Sequence, residues 1–164
     1  FQMLQNTMFT VIYPQLRKSV CGLPKKAAGR DFAAFTLSRV DESYAKERSY
    51  ADWAIPIVGH WEASGYFLQG DEEVEVGFFD MDYAHNAQKV HGMFMDEKSN
   101  LIVSDNNHLT TVRETDAWYL KNFNNKEISF SIKSFIVAVD TDDYASLNED
   151  DLTAFASELL VWEQ

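Results

Sequence analysis

The first side chains that suggest chemistry are two carboxylates and a histidine. Asp80 and Asp82 are two apart in a β-type run, so their side chains would share one face, and His85 follows three residues later. Oxygen and imidazole ligands at this spacing could surround a cation. Solvated carboxylates at the end of a strand explain the same pattern without a ligand, so we predict no metal site here.

A second acidic stretch superficially resembles a calcium loop. It begins at Asp140 and continues through Asp142 and Asp143 to Asp151. A calcium loop needs a glycine at its sixth position and a bidentate glutamate at its twelfth, and this chain has alanine and aspartate there. We therefore interpret the stretch as a strand-to-helix loop that ends in an N-cap.

No catalytic motif is recognisable. Cys21 is the single cysteine and has no histidine placed beside it by a known motif. The sequence has no Gly-x-Ser-x-Gly, no glycine-rich phosphate loop and no His-Glu-x-x-His. Four histidines lie outside any nucleophile or zinc motif: His60, His85, His91 and His108. We predict no catalytic residue and no cofactor, and a protein that is not an enzyme.

Carboxylates concentrated in the last two-thirds of the chain are the one functional signal. The chain has 26 acidic and 14 basic residues, a formal net charge of −12. Such a surface attracts a basic partner and accelerates its association. The residues that we predict to bind a basic protein partner form two runs: Asp71, Glu72, Glu73 and Glu75, and then Asp140, Asp142 and Asp143.

Length and composition exclude several classes of protein. With 164 residues, 46% of them hydrophobic, the chain can bury a core as one domain, which we assign to residues 3–164. Phe1 and Gln2 are typical of the remnant of a cleaved expression tag. The apolar content excludes a disordered chain, and the negative charge argues against nucleic-acid binding.

The single cysteine and the hydropathy pattern predict the compartment. Cys21 cannot form an intramolecular disulfide, and small secreted domains usually depend on such bonds. No stretch approaches about 18 consecutive apolar residues, the length of a membrane span. We therefore expect a cytoplasmic protein without a membrane segment, as a monomer or weak dimer.

Short β-rich runs separated by turn residues predict consecutive antiparallel strands from position 60 onward. Earlier in the chain, 7–13 predicts a strand, 17–30 a loop and 41–53 a helix, whereas 32–40 is ambiguous. A change of parity near Ser134 indicates a bulge, or a strand that becomes buried on both faces. The predicted later strands are 60–69, 73–81, 89–96, 101–104, 108–113, 117–123 and 127–139.

The clearest local pattern is that of the C-terminal helix. Ser146 or Asn148 can cap it, and acidic residues follow in its first turn, where the helix dipole favours them. Its apolar stripe, which should pack on the sheet, consists of Leu152, Phe155, Ala156 and Leu159. The sequence thus predicts an α+β domain with an antiparallel meander sheet, a helix near the N-terminal third and a packed C-terminal helix.

In size, architecture and acidic runs, the chain resembles bacterial immunity proteins that neutralise delivered toxins, including those of contact-dependent inhibition and related polymorphic toxin systems. The resemblance involves no motif, so no functional residue carries over by position. It implies a protein that occludes a basic toxin domain, for example a nuclease. Two alternatives stay open: a nucleic-acid mimic of the anti-restriction type, and a ligand-binding or enzyme domain with a pocket built from His60, His85 or His91 with Trp61, Tyr66 and Tyr83.

Overall fold

The computed structural model describes residues 8–11, 21–24, 26–49, 51–69, 72–99, 106–121, 125–142 and 146–162. These residues form an α+β fold with three helices, α1 (Glu42–Glu47), α2 (Ala84–Ser99) and α3 (Glu149–Ser157). The strands are β1 (Met8–Val11), β2 (Cys21–Pro24), β3 (Lys26–Ala27), β4 (Arg30–Arg39), β5 (Trp61–Gln69), β6 (Glu72–Asp80), β7 (Asn106–Val112), β8 (Thr115–Lys121), β9 (Asn125–Ile132) and β10 (Phe135–Asp142).

Eight of these strands form one antiparallel sheet in the order β3-β4-β5-β6-β10-β9-β8-β7, and β1 pairs with β2 separately. The sheet consists of two meanders, β3 to β6 and β7 to β10. Helix α2 carries the chain from β6 at the centre to β7 at the edge, and the second meander returns until β10 pairs with β6. The predicted fold class, with an antiparallel meander and a C-terminal helix, is confirmed.

One face of the sheet packs against α3, and we call it the α3 face. Asn148 caps the helix: its side chain accepts a hydrogen bond from the Asp151 backbone, and the Asp151 carboxylate accepts one from the Asn148 backbone. The Phe67 and Phe155 rings meet edge to face with centroids 5.1 Å apart. The predicted stripe is buried in a core with the inward side chains of the central strands, among them Val76, Phe78, Ile128, Phe130, Val137 and Val139.

The opposite face, which we call the α2 face, packs against α2 and against the segment 41–60 that connects β4 to β5. Two backbone hydrogen bonds close this segment: Val40 donates to the His60 carbonyl over 2.9 Å, and Gly59 donates to the Val40 carbonyl over 2.8 Å. A smaller core forms beneath it from Val40, Ala45, Trp53, Ala54, Ile57, Met81, Ala87, Val90 and Ile136. The segment therefore folds over the sheet instead of extending into solvent.

The predicted strand at 89–96 is wrong, because these residues lie inside α2. Helical spacing brings Ala87, Val90 and His91 onto one buried face. Met93 and Phe94 are also half-buried, since they pack against the smaller core. With apolar contacts spread around the helix, the segment lacks the clean 3.6-residue period that would distinguish it from a strand.

The predicted strand at 127–139 is two strands, β9 and β10, so the predicted bulge or doubly buried strand near Ser134 is also wrong. Lys133 and Ser134 form the tight turn between them, and Lys133 has a φ of +54°. Ile132 pairs with Phe135. Residues that pair across two strands point to the same face of the sheet. Ile132 and Phe135 do so although their positions differ by three, so the apolar face moves from even to odd positions at the turn.

Other boundaries differ at the N-terminal end. The predicted helix 41–53 shortens to α1, which Asp41 caps through hydrogen bonds from the Ser43 and Tyr44 backbone amides. The predicted loop 17–30 contains β2 and β3, and the ambiguous 32–40 belongs to β4 as far as Arg39. The predicted strand 101–104 lies outside the described residues. Within those residues, no helix is both long and apolar enough to cross a membrane.

Candidate functional site

Three carboxylates form a row across the centre of the α2 face. Glu127 on β9 pairs with Asp140 on β10, and Asp140 pairs with Glu75 on β6. Since paired residues point to the same face, all three side chains lie side by side. Adjacent strands are about 4.8 Å apart, so the row extends roughly 10 Å from Glu127 to Glu75.

Beside this row lies a second row made of small residues, which leaves open space above the sheet. It runs Ser64, Gly77, Ala138 and Ser129 on β5, β6, β10 and β9. A methyl group added at Gly77 would meet no atom within 4 Å, so nothing fills the space that its missing side chain leaves. The two rows form the floor of a pocket of about 300 Å³.

Aromatic side chains form much of the wall. Tyr44 and Trp53 come from the segment 41–60, Phe94 from α2 and Phe79 from β6. The Trp53 ring meets the Phe94 ring edge to face at 5.0 Å, and the Tyr44 ring meets those of Trp53 and Phe79 at 6.1 and 6.3 Å. These contacts lock the rings against one another and hold the wall in place.

The electrostatics of the pocket favour a positive charge. Burial raises the pKa of the Glu62 carboxyl, and the Glu75 carboxylate raises it further, whereas Arg48 lowers it. A hydrogen bond from the Tyr66 hydroxyl to Glu75, together with burial, raises the pKa of Tyr66 to about 12. Glu127 is only 8% exposed. A cation placed near buried carboxylates compensates for part of their lost hydration.

One cationic group already lies at this wall. The Arg48 guanidinium carbon is 3.8 Å from the centroid of the Tyr44 ring and 5.7 Å from that of Trp53. Burial raises the pKa of Tyr44 to about 12, and the Arg48 charge acts in the opposite direction. The aromatic wall therefore accepts a cation at stacking distance.

The chemistry that this pocket can perform is recognition of an organic cation. A row about 10 Å long is too wide for one metal ion, whose oxygen ligands lie at about 2.0–2.6 Å. In the part of the chain that the structure describes, no three His, Cys, Asp or Glu side chains are placed to hold a metal ion. An ammonium or guanidinium group on an apolar stem fits both the carboxylate floor and the aromatic wall.

The pocket joins the two predicted acidic runs at one point. Glu75 and Asp140 face each other across β6 and β10 and both line the pocket. Glu73 and Asp142 lie two residues further toward the end of the sheet, on the same face and exposed. The sequence left the two runs as separate patches, and strand pairing makes them one surface.

Glu72 is not among the described residues that line the pocket. Glu72 lies 3.8 Å from Arg30 and accepts a hydrogen bond from the Ser146 hydroxyl over 2.9 Å, so its contacts are structural. Asp71 and Asp143 lie outside the described residues.

The cluster Asp80, Asp82 and His85 does not converge. Asp80 ends β6, and its carboxylate accepts a hydrogen bond from the Asp82 backbone amide over 2.9 Å. Asp82 lies beyond the strand with a φ of +68°, so the shared strand face that the sequence indicated does not exist. The His85 side chain is exposed.

The other three histidines lie in three different places, and His60 is the one beside Asp80 and Asp82, with its Nδ1 3.4 Å from the Asp82 carboxylate. His60 approaches the Asp80 carbonyl to 3.1 Å through Nδ1, and His108 contacts the Glu149 carboxylate over 2.7 Å on the α3 face. His91 is buried, its Nε2 lies 2.9 Å from the Ser129 hydroxyl, and burial lowers its pKa to about 4. The residues of the alternative pocket divide: Trp61 packs on the α3 side and Tyr83 is exposed, whereas Tyr66 bonds to Glu75 and His91 contacts Ser129 in the pocket floor.

Sequence reasoning missed most of the pocket, namely Tyr44, Arg48, Trp53, Glu62, Phe94 and Glu127. A usable signal existed in the strands. Glu62, Ser64 and Tyr66 alternate with apolar residues on β5, as Glu75 and Gly77 do on β6. Charged and small residues on one face of central strands indicate a face that does not belong to a packed core.

Comparisons of this chain with protein-family models, with curated proteins and with solved structures gave no match. The functional conclusion therefore depends on the geometry of the pocket.

Proposed function

We propose that this protein binds a basic protein partner and takes a cationic side chain of that partner into the pocket. The observation that carries the proposal is the row Glu127, Asp140 and Glu75 across central strands. Like charges directly opposite each other destabilise a sheet. A cation in the pocket offsets this repulsion, so the row favours the binding of a positively charged group.

The partner class that we propose is the basic domain of a toxin, with this protein as the immunity protein that covers it. A toxin nuclease contacts phosphates through lysine and arginine side chains. Carboxylates can engage the same side chains and so block the toxin. In this proposal the protein acts in the cytoplasm as a monomer or weak dimer and is not an enzyme.

The pocket supports this role better than that of a nucleic-acid mimic. A mimic needs exposed carboxylates at phosphate spacing along its surface. Here Glu127 is almost fully buried, and the row ends at the Tyr66 hydroxyl, which bonds to Glu75. Such an arrangement is suited to one inserted cation.

A small organic amine is the second candidate ligand, because a pocket of about 300 Å³ has room for one. A partner's side chain and a free amine carry the same kind of positive charge, but the first is attached to a polypeptide and the second is not. A binding experiment must therefore use both a cationic peptide and a free amine as probes.

Isothermal titration calorimetry tests the proposal with defined probes: capped Gly/Ser pentapeptides with a central arginine, lysine or citrulline, and the free diamine putrescine. We expect saturable binding of the cationic peptides with a Kd in the millimolar range or tighter, and none of the citrulline peptide. Binding of putrescine alone would favour the small ligand. The double variant Glu75→Gln/Asp140→Asn should lose binding.

The matched control is Glu158→Gln, which removes one exposed carboxylate from the opposite side of the sheet. Equal binding by the double variant, or no binding of any cation by the native protein, would contradict the proposal. For the toxin, cells should survive expression of a basic toxin domain encoded next to this gene when they carry the native protein. They should die when they carry the double variant at equal abundance.

A further inference from the structure

Arg48 is the one basic side chain among the described residues that line the pocket, against four carboxylates: Glu62, Glu75, Glu127 and Asp140. It occupies the C-cap position of α1, where its backbone amide bonds to the Tyr44 and Lys46 carbonyls. The backbone is thus fixed, while the side chain turns back over the aromatic wall.

The contacts of the Arg48 guanidinium are with rings. Its carbon lies over the Tyr44 ring, 3.8 Å from the centroid, and 5.7 Å from the centroid of the Trp53 ring. Within the described part of the chain it makes no ion pair shorter than 4 Å and no side-chain hydrogen bond. The residue is exposed to solvent. A cation–π contact at an exposed site is weak, so this group can leave the wall easily.

The geometry of that contact also indicates which cation the wall prefers. A guanidinium is planar, stacks on aromatic faces and presents a fork of donors to carboxylates, whereas an ammonium is a compact, strongly hydrated point charge. The wall already holds a guanidinium over the face of Tyr44, in the same pocket as the carboxylates.

We infer that the pocket selects a guanidinium over an ammonium, and that Arg48 is a built-in competitor which a partner's arginine displaces. This inference rests on the proposed function, because it names the ligand class and the regulation of the same pocket. The tethered group holds the wall in the bound geometry, and it must move aside when a second guanidinium enters.

Competition by Arg48 changes the apparent Kd of the ligand by an amount that can be measured. The apparent Kd of a ligand increases in inverse proportion to the fraction of molecules whose site is open. If Arg48 covers the site in roughly nine molecules of ten, removal of its side chain tightens binding about tenfold; if it covers half, the gain is about twofold.

The experiment compares Arg48→Gln with native protein, with the arginine and lysine pentapeptides as probes. The matched control is Arg39→Gln, since Arg39 also lies over an indole ring, that of Trp61 at 5.3 Å, and carries the same charge away from the pocket. We expect Arg48→Gln to bind the arginine peptide two- to tenfold more tightly and Arg39→Gln to match the native protein. The native protein should bind the arginine peptide at least threefold more tightly than the lysine peptide.

A second measurement follows the displaced group directly. Nuclear magnetic resonance of the Arg48 side chain should show ring-current shifts in the free protein, and these should decrease as the arginine peptide saturates the site. Unchanged shifts at saturation would overturn the competition, as would equal or weaker binding by Arg48→Gln. Stronger binding of the lysine peptide would overturn the selectivity. If no variant binds any cation, the proposed function itself is wrong, and that result is distinct from these.

Discussion

A single carboxylate of the row should destabilise the folded protein. Asp140 lies between Glu127 and Glu75, so it experiences both like charges. We predict that Asp140→Asn increases the free energy of unfolding by about 0.2–1 kcal/mol, the range of cross-strand pair energies. Urea unfolding at low salt measures this change.

The control for this prediction is Asp142→Asn, at the exposed end of the same strand and face. It should change stability by less than Asp140→Asn does. A loss of stability in Asp140→Asn would mean that the carboxylate makes a net favourable contact, and the repulsion argument would then be wrong.

His91 predicts the response of the fold to acid. Burial lowers its pKa to about 4 from a usual 6.5, so between these values the unfolded chain binds a proton that the folded protein does not. Stability therefore decreases as the pH falls from 6.5 toward 4. Between pH 7 and pH 5 we expect this residue to account for a loss of about 2 kcal/mol.

The variant His91→Gln tests this assignment, because glutamine cannot titrate and can still bond to the Ser129 hydroxyl. Its unfolding free energy should depend less on pH than that of the native protein, by roughly the amount that His91 contributes. The exposed His85→Gln serves as the control and should keep the native pH profile. If both variants keep it, another group causes the acid sensitivity.

At the scale of elements, α3 is fixed to the sheet by its apolar stripe. Phe155 is 2% exposed and packs against Phe67. We predict that Phe155→Ala lowers the free energy of unfolding by about 3–5 kcal/mol, since it removes buried contacts and leaves a cavity. Denaturant unfolding measures the change, and a loss below about 1 kcal/mol would show that the helix is peripheral.

The elements that were predictable carry their own local signals. Helix α3 has a capping box, acidic residues in its first turn and an apolar stripe, all within a few residues. Helix α2 lacks such an N-terminal signal and has apolar contacts on several sides, so it was mistaken for a strand. The turn at Lys133 and Ser134 has neither glycine nor asparagine. Tertiary packing imposes positive φ there, and no residue type signals it.

The candidate site was predictable only in part, for a related reason. Glu75 and Asp140 lie within acidic runs, and their charge was visible in the sequence. Glu127 and Glu62 stand alone, and they join the pocket only through strand pairing. Trp53 and Arg48 reach it because the segment between β4 and β5 folds over the sheet. The order of the strands in the sheet determines these contacts. Patterns of neighbouring residues in the sequence carry no information about that order.

At the scale of the whole molecule, the net charge should steer association. The exposed Glu73 and Asp142 extend the acidic surface beyond the pocket, whereas Glu75 and Asp140 line it. Exposed charges act mainly on the association rate, and buried pairs act mainly on dissociation. We predict that Glu73→Gln/Asp142→Asn slows association with a cationic partner and reduces its salt dependence, with little change in dissociation.

Stopped-flow measurements across a salt series test this division, with the arginine pentapeptide or a basic toxin domain as the partner. The pocket variant Glu75→Gln/Asp140→Asn should instead dissociate faster. A salt-independent association rate in the native protein would show that the acidic surface serves solubility alone.

The seam between β6 and β10 also sets the order in which the protein assembles during synthesis. Phe135 on β10 pairs with Asp80 on β6. The β6 strand therefore stays unpaired on this side while the residues between them are translated, roughly 3–10 s at typical rates. Until then β6 is an open edge, the kind of strand on which chains aggregate. Glu73 and Glu75 place negative charge on that edge and discourage pairing with other copies. Glu75, which lines the pocket in the finished protein, thus also protects the nascent chain, and the pocket itself exists only after the second meander has docked.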